Sequence, residues 1–149
     1  MTNILGTNYV TQIGLVVHDI KKTAQTFADF FGMDVPEIKI TQPVEQSFTN
    51  YRGESSAARA KLAFFDMGSL QLELIEPDNH PSTWREHLDH NGEGVHHIAF
   101  VVNDMQEKVE TLNSLNIPVI QKGEYKNGRY AYVDTIGPLK VMLELLEND

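Results

Sequence analysis

Two stretches decide the fold: Gln12-Ile-Gly-Leu-Val-Val-His-Asp-Ile20 and His97-Ile-Ala-Phe-Val-Val-Asn-Asp-Met105. They align without a gap. Ile13 matches Ile98, Val16 and Val17 match Val101 and Val102, and Asp19 matches Asp104. Each is rich in Val and Ile, as a strand requires, and each runs into a helical pattern behind an Asp that can cap it. A second pair follows in the same order. Leu72-Glu-Leu-Ile-Glu76 matches Leu143-Glu-Leu-Leu-Glu147, each behind a turn, Asp66-Met-Gly-Ser and Asp134-Thr-Ile-Gly-Pro. Two matched pairs in one order read as an internal duplication.

Working outward, residues 10–18 are expected to form a strand, and Asp19 to cap a helix to Phe31 with Ala24, Phe27, Phe30 and Phe31 on one face and Gly32 as its stop. Residues 36–41 read as a short strand, and the polar stretch 42–58, with Pro43 and Gly53, as a loop. Residues 59–66 and 69–76 read as a hairpin around Met67-Gly68. Pro81 to His90 reads as a short helix stopped by Gly92, with Trp84 and Leu88 anchoring it. The second half repeats the first: strand 95–102, helix 104–115, strand 117–121, a turn at Lys126-Asn127-Gly128, then strands 129–134 and 139–146. The expected class is α+β: two β-α-β-β-β modules forming a cupped mixed sheet. Residues 1–149 form one domain, with repeats at about 9–77 and 94–147 and a linker helix at about 81–91.

Composition narrows the function. A chain of 149 residues with 41% hydrophobic and 22% charged residues can bury a core and is not disordered as a whole. Having no Cys, it excludes disulfides, thiolate metal sites and thiol nucleophiles. A net charge of −9 argues against nucleic acid, whose binding needs Lys and Arg to neutralise phosphates. No run is long and apolar enough for a membrane helix, and Met1 to Asn8 has no basic-then-apolar leader, so the expected compartment is the cytoplasm.

Period-two alternation then locates the chemistry. Gln12, Gly14 and Val16 share one strand face. The matching set is His97, Ala99 and Val101. Gln71, Glu73 and Ile75 share a face of the first Leu-Glu-Leu strand, and Met142, Glu144 and Leu146 a face of the second. Each half therefore sets a nitrogen- or oxygen-bearing residue at the start of its first strand and a carboxylate within its last. A carboxylate buried in an apolar run must be paired or meet a metal. If the halves pack about a pseudo-twofold axis, Gln12, Glu73, His97 and Glu144 converge. One imidazole, two carboxylates and an amide oxygen suit one divalent ion such as Zn²⁺, Ni²⁺, Co²⁺, Mn²⁺ or Fe²⁺.

Gly94-Val-His-His-Ile-Ala-Phe100 and Leu72-Glu-Leu-Ile-Glu-Pro77, with the strands already quoted, carry a resemblance. From about Tyr9 to Glu147 the chain resembles the vicinal oxygen chelate superfamily, which includes glyoxalase I, methylmalonyl-CoA epimerase, fosfomycin resistance proteins and extradiol dioxygenases. The resemblance implies a metal site on Gln12, Glu73, His97 and Glu144, with His96 turned to the opposite face. It implies proton abstraction next to a carbonyl through a metal-bound enediolate, with Glu144 as first choice of base and Glu73 as second. The implied activity is a metal-dependent isomerase or lyase resembling methylmalonyl-CoA epimerase or glyoxalase I. The implied substrate is a small molecule, an acyl-CoA or a thiol adduct of an oxoaldehyde, and the implied assembly a homodimer. The alternative is a non-catalytic, antibiotic-sequestering binder of the same fold; an epoxide-opening thiol transferase ranks last.

Two positions depart from the epimerases. Gln12 stands where they carry His, and Ala57 where they carry a candidate base, with Glu54 on the loop nearby. Among the remaining polar residues, Arg52, Arg59, Lys126 and Arg129 are candidate anion contacts, and His18, His80, His87 and His90 read as surface residues.

Overall fold

A computed structural model describes residues 2–149. Its elements in chain order are β1 (Gln12–Val16), α1 (Ile20–Phe31), β2 (Lys39–Ile40), α2 (Val44–Ser47), β3 (Asn50–Tyr51), β4 (Glu54–Ser55), β5 (Ala60–Asp66) and β6 (Gln71–Pro77), then α3 (Thr83–Asn91), β7 (Gly94–Val101), α4 (Met105–Ser114), β8 (Val119–Tyr125), β9 (Gly128–Val133), α5 (Ile136–Leu139) and β10 (Met142–Asn148). The strands form one mixed, curled sheet in the order β2-β5-β6-β1-β7-β10-β9-β8-β3-β4.

The pairing reads alike outward from a central seam. At the seam β1 runs antiparallel to β7. On one side β6 lies parallel to β1, and on the other β10 lies parallel to β7. The hairpin partners β5 and β9 come next, each antiparallel to its neighbour. Gln12 faces Ala99 across the seam as His97 faces Gly14, so the two strand starts exchange places about that axis.

Helices α1 and α4 fill the convex face. Asp19 accepts a hydrogen bond from the Lys22 amide, and Gly32 closes α1 in the left-handed region, as the capping residues predict. The buried face of α1 is Ile20, Ala24 and Ala28, set over Leu74, Ala63 and Phe65. Phe30 instead lies 80% exposed. The expected Phe face fails on helical geometry, since at 3.6 residues per turn Phe30 stands well away from Ala24 and Ala28. Helix α4 packs Met105 and Leu112 over Phe100, Leu143 and Leu145. On the concave side, α3 sets Trp84 and Leu88 against Val16, Ile75, Tyr132 and Met142 and closes one end of the cup.

Several expected boundaries shift. The strand expected at 36–41 reduces to β2, and the loop expected at 42–58 holds α2, β3 and β4. Two-residue strands carry no readable alternation. Strand β8 runs on to Tyr125, and α5 precedes β10. Both ends of the sheet are two-residue strands, and every residue of β2 and β4 is exposed. No helix among the described residues is long and apolar enough to cross a membrane.

Candidate active site

The concave face gathers the polar residues that alternation placed on it. Cross-strand register sets Gln12 beside Gln71, and Gly14 between Glu73 and His97. It also sets Met142 beside His97, and Glu144 beside Ala99 and Tyr132. Gln12, Glu73, His97 and Glu144 are all buried. His97 Nε2 lies 2.9 Å from Gln12 Oε1 and 3.5 Å from both Glu73 Oε1 and Glu144 Oε1. All four sequence-predicted residues are thus brought together. Gln12, Glu73 and Glu144 line a cavity of about 530 Å³, with His97 fully buried behind them; its walls include Phe64, Trp84, Tyr130 and Tyr132 and its lining reaches Lys39 and Lys126.

Gly14 makes this convergence possible. A Cβ at that position would sit 2.1 Å from His97 Cε1 and under 3 Å from both ring nitrogens. The imidazole therefore rests directly on the β1 backbone, a close approach that only Gly allows.

Burial dominates the electrostatics. It raises the Glu73 carboxyl well above the usual carboxylate range, and the Glu144 charge raises it further. It pushes Glu144 up to about 8, against a hydrogen bond with Tyr132 that pulls it down. Burial lowers His97 to about 3. The two 3.5 Å approaches therefore join a neutral imidazole to carboxyls that hold protons readily, and they are not ion pairs. Such a cluster is costly without a further partner.

The chemistry of the donor set, one imidazole, two carboxyls and an amide oxygen, suits a divalent ion. Ligand bonds of about 2.1 Å imply ligand–ligand edges of roughly 3.0 Å in an octahedron and 3.4 Å in a tetrahedron. The distances of 2.9 and 3.5 Å around His97 Nε2 match that spacing. His, Cys, Asp and Glu alone form no three-donor metal cluster among the described residues. Glu73, His97 and Glu144 as they stand are not such a cluster; with the Gln12 oxygen, at the shortest distance from His97, they are the four side chains that would hold an ion.

His96 departs from the expected opposite face. The β1–β7 register slips between Gly14 and Leu15, so that Gly14 pairs with His97 but Leu15 with Val95. His96 is the extra residue of a bulge, and a bulge re-aims its side chain. Its Nδ1 lies 2.8 Å from His97 Nδ1, and its Nε2 3.2 Å from Thr83 Oγ1. His87 likewise is not a solvated residue: its ring packs on His96 at 5.5 Å between centroids, and burial lowers its pKa.

Most of the candidate anion contacts are already engaged. Arg52 pairs with Glu86, and Arg129 with Glu147 and Asp149. Arg59 donates to the Thr41 carbonyl. Lys126 reaches the cavity, joined by Lys39. Ala57 and Glu54 are exposed and lie outside the cavity lining, whose carboxyls are Glu73, Glu124 and Glu144. A more open groove of about 770 Å³ runs between α4 and β8–β9; Arg129 lines it, and Glu124 and Tyr130 border both it and the cavity.

Comparison with known proteins gives the family and the fold. A sequence profile of the glyoxalase/bleomycin resistance protein/dioxygenase superfamily matches residues 11–133. The chain belongs to that superfamily. This superfamily member is 28% identical over 143 residues to the uncharacterized protein YqjC of Bacillus subtilis (strain 168), covering 94% of this chain and 92% of YqjC. Its fold is similar to the crystal structure of methylmalonyl-CoA epimerase from Mycobacterium tuberculosis, with TM-score 0.66 and 20% identity over 100% of this chain and 92% of that one. A Streptomyces coelicolor methylmalonyl-CoA epimerase variant in complex with 2-nitronate-propionyl-CoA gives TM-score 0.63 and 23% identity over 94% and 96% of the two chains. At these identities the structural likeness speaks to the fold.

Sequence reading of this superfamily member missed Tyr130 and Tyr132 as cavity walls. Their alternation in β9, opposite Leu146 and Glu144, is the signal that finds them. Gly14 stood on the right face but carried no role until the His97 ring was seen on it.

Proposed function

We propose that this protein is a metal-dependent isomerase or lyase that moves a proton at a carbon next to a carbonyl. The observation that carries the reading is the pair Glu73 and Glu144. They are buried, converge on His97 and Gln12, and have a proton affinity raised by that burial.

Gln12, Glu73, His97 and Glu144 would hold the ion. A bound divalent ion supplies Lewis-acid polarisation of a carbonyl and stabilises negative charge as it develops. Glu144 is the base. Its carboxylate takes the proton from the carbon next to the carbonyl, and its raised pKa suits proton transfer near neutral pH. Glu73 enters from β6, across the β1–β7 seam from β10. Standing 3.5 Å from the same His97 nitrogen as Glu144, it is the second carboxyl that can return a proton to the substrate. Phe64, Trp84, Tyr130 and Tyr132 exclude water from the reacting carbon, which strengthens the field of the carboxyls. Lys39 and Lys126 at the cavity attract the anionic part of an acyl-CoA or of a thiol adduct of an oxoaldehyde.

The test is metal content by elemental analysis after chelator-free purification, followed by solvent-deuterium exchange into substrate read by NMR. Methylmalonyl-CoA and the glutathione adduct of methylglyoxal are the probes. One divalent ion per chain, with deuterium entering at the carbon next to the carbonyl of one probe and both lost in Glu144→Gln, is the expected result. A wild type that takes up no Zn²⁺, Ni²⁺ or Co²⁺ would overturn the reading. Metal uptake without exchange into either probe would favour a binding protein.

A further inference from the structure

The contacts behind His97 define which of its nitrogens carries the proton. The Gln12 amide nitrogen donates to Gln71 Oε1 at 2.7 Å, which turns its oxygen toward His97. An amide oxygen only accepts, so His97 Nε2 bears the proton in this arrangement. Its Nδ1 is then bare and accepts from His96 Nδ1–H across 2.8 Å. His96 Nε2 is bare in turn and accepts from the Thr83 hydroxyl at 3.2 Å. An N···N hydrogen bond holds one proton, so the two tautomers cannot change independently.

Engaging a cation through Nε2 requires the opposite arrangement. Resting on the metal site proposed above, we propose that His96 is a positioning residue that sets the tautomer of His97. When Nε2 gives up its proton to face a cation, Nδ1 becomes the donor to His96 Nδ1. His96 then carries its own proton on Nε2 and donates it to Thr83 Oγ1, which turns from donor to acceptor. The two rings hold two protons before and after, so the pair itself gains and loses none.

Three features support the role. The β7 bulge places His96 where regular alternation would not. The ring is buried among His87, His97 and Tyr132, so no solvent competes for its nitrogens. Thr83, the first residue of α3, is held by its amide donating to Gln121 Oε1 at 2.8 Å, which leaves its hydroxyl free to rotate. Partners behind a metal-ligating His orient the ring and raise its basicity, and losing one typically costs about 10–100-fold in metal affinity.

The experiment uses the full chain labelled with ¹⁵N-histidine, with Zn²⁺ as the probe. Histidine tautomers are read by NMR without and with Zn²⁺, and affinity is measured by chelator competition on wild type, His96→Phe and His96→Asn. The expected result is that His96, which does not touch the ion, shifts its proton from Nδ1 to Nε2 on Zn²⁺ saturation. His96→Phe should lose about 10–100-fold in affinity, and His96→Asn, whose amide can still accept from His97 Nδ1–H, should stay close to wild type. Zn²⁺ uptake with His96 unmoved, or a folded His96→Phe with wild-type affinity, would overturn the inference and leave the metal site standing. A wild type without Zn²⁺ uptake would overturn the metal site and the inference with it. If His96→Phe does not fold, the wild-type spectra still decide.

Discussion

Replacing Gly14 with Ala should disable the site by steric displacement alone. The added Cβ would land 2.1 Å from His97 Cε1, 2.6 Å from Nδ1 and 2.7 Å from Nε2. Carbon atoms relax at about 3.5–4.0 Å, so the ring must withdraw by roughly 1.5 Å. It has nowhere to go: His97 is fully buried, with His96 and Tyr132 rings packed on it. A shift of that size breaks the 2.9 Å contact with Gln12 and the 2.8 Å contact with His96. Overpacking of this kind costs about 1–3 kcal/mol. Leaving buried polar atoms unpaired adds about 1–3 kcal/mol. Ala favours strand backbone over Gly by roughly 0.5–1 kcal/mol, too little to offset either. The expected loss is about 2–5 kcal/mol against a total stability of about 5–15 kcal/mol. At about 2–4 °C per kcal/mol, Tm should fall by roughly 5–20 °C. Urea unfolding and thermal melts of wild type, Gly14→Ala and Gly137→Ala make the assay. Gly137 is the control, because a Cβ there meets nothing within 4 Å. A Gly14→Ala protein with wild-type Tm and wild-type Zn²⁺ uptake would refute the reasoning.

Three further outcomes follow from the buried groups. Glu144 holds a proton in the folded state that the unfolded chain has released between 4.5 and about 8, and Glu73 is shifted in the same direction by burial, so metal-free stability should fall as pH rises through that window. His97 and His96, lowered from 6.5, act oppositely and cost stability as pH falls below 6.5. The urea midpoint should therefore drop between pH 6.5 and 8.5 and drop less in Glu144→Gln; a flat wild-type profile over that range would contradict the burial argument. Zn²⁺ binding should release protons from the two carboxyls, more at pH 6.5 than at pH 9, read by calorimetry in two buffers of different ionisation heat; equal release at both pH values would count against them as ligands. Tyr132→Phe removes the acceptor of the Trp84 indole N–H at 2.9 Å, which should cost about 1–3 kcal/mol in urea unfolding. An unchanged midpoint would show that this N–H finds another partner.

What could be read from the sequence follows a physical rule. Gln12, Glu73, His97 and Glu144 were legible because each lies on a regular strand, where period two fixes the face, and because each has a counterpart at the same place in the other half. His96 was not, since a bulge breaks that period and turns a neighbour of His97 inward beside it. Gly14 was legible in position but not in purpose, because the ring that rests on it comes from a strand more than eighty residues away. The segment 42–58 hid α2, β3 and β4 because elements of two to four residues are too short to show a period. Lys39 and Lys126 join the cavity only through the curl of the sheet, which no local pattern encodes.

The two ends of the sheet bear on assembly. A long bare strand at a boundary presents unpaired amides and carbonyls that recruit another chain. Here each boundary is only two residues long and carries a charge, Lys39 in β2 and Glu54 in β4. These caps cover little of the strands behind them: β2 pairs only Lys61 and Leu62 of β5, and β3 only Gln121 and Lys122 of β8, so any strand addition would extend the uncovered stretches of β5 or β8 rather than β2 or β4.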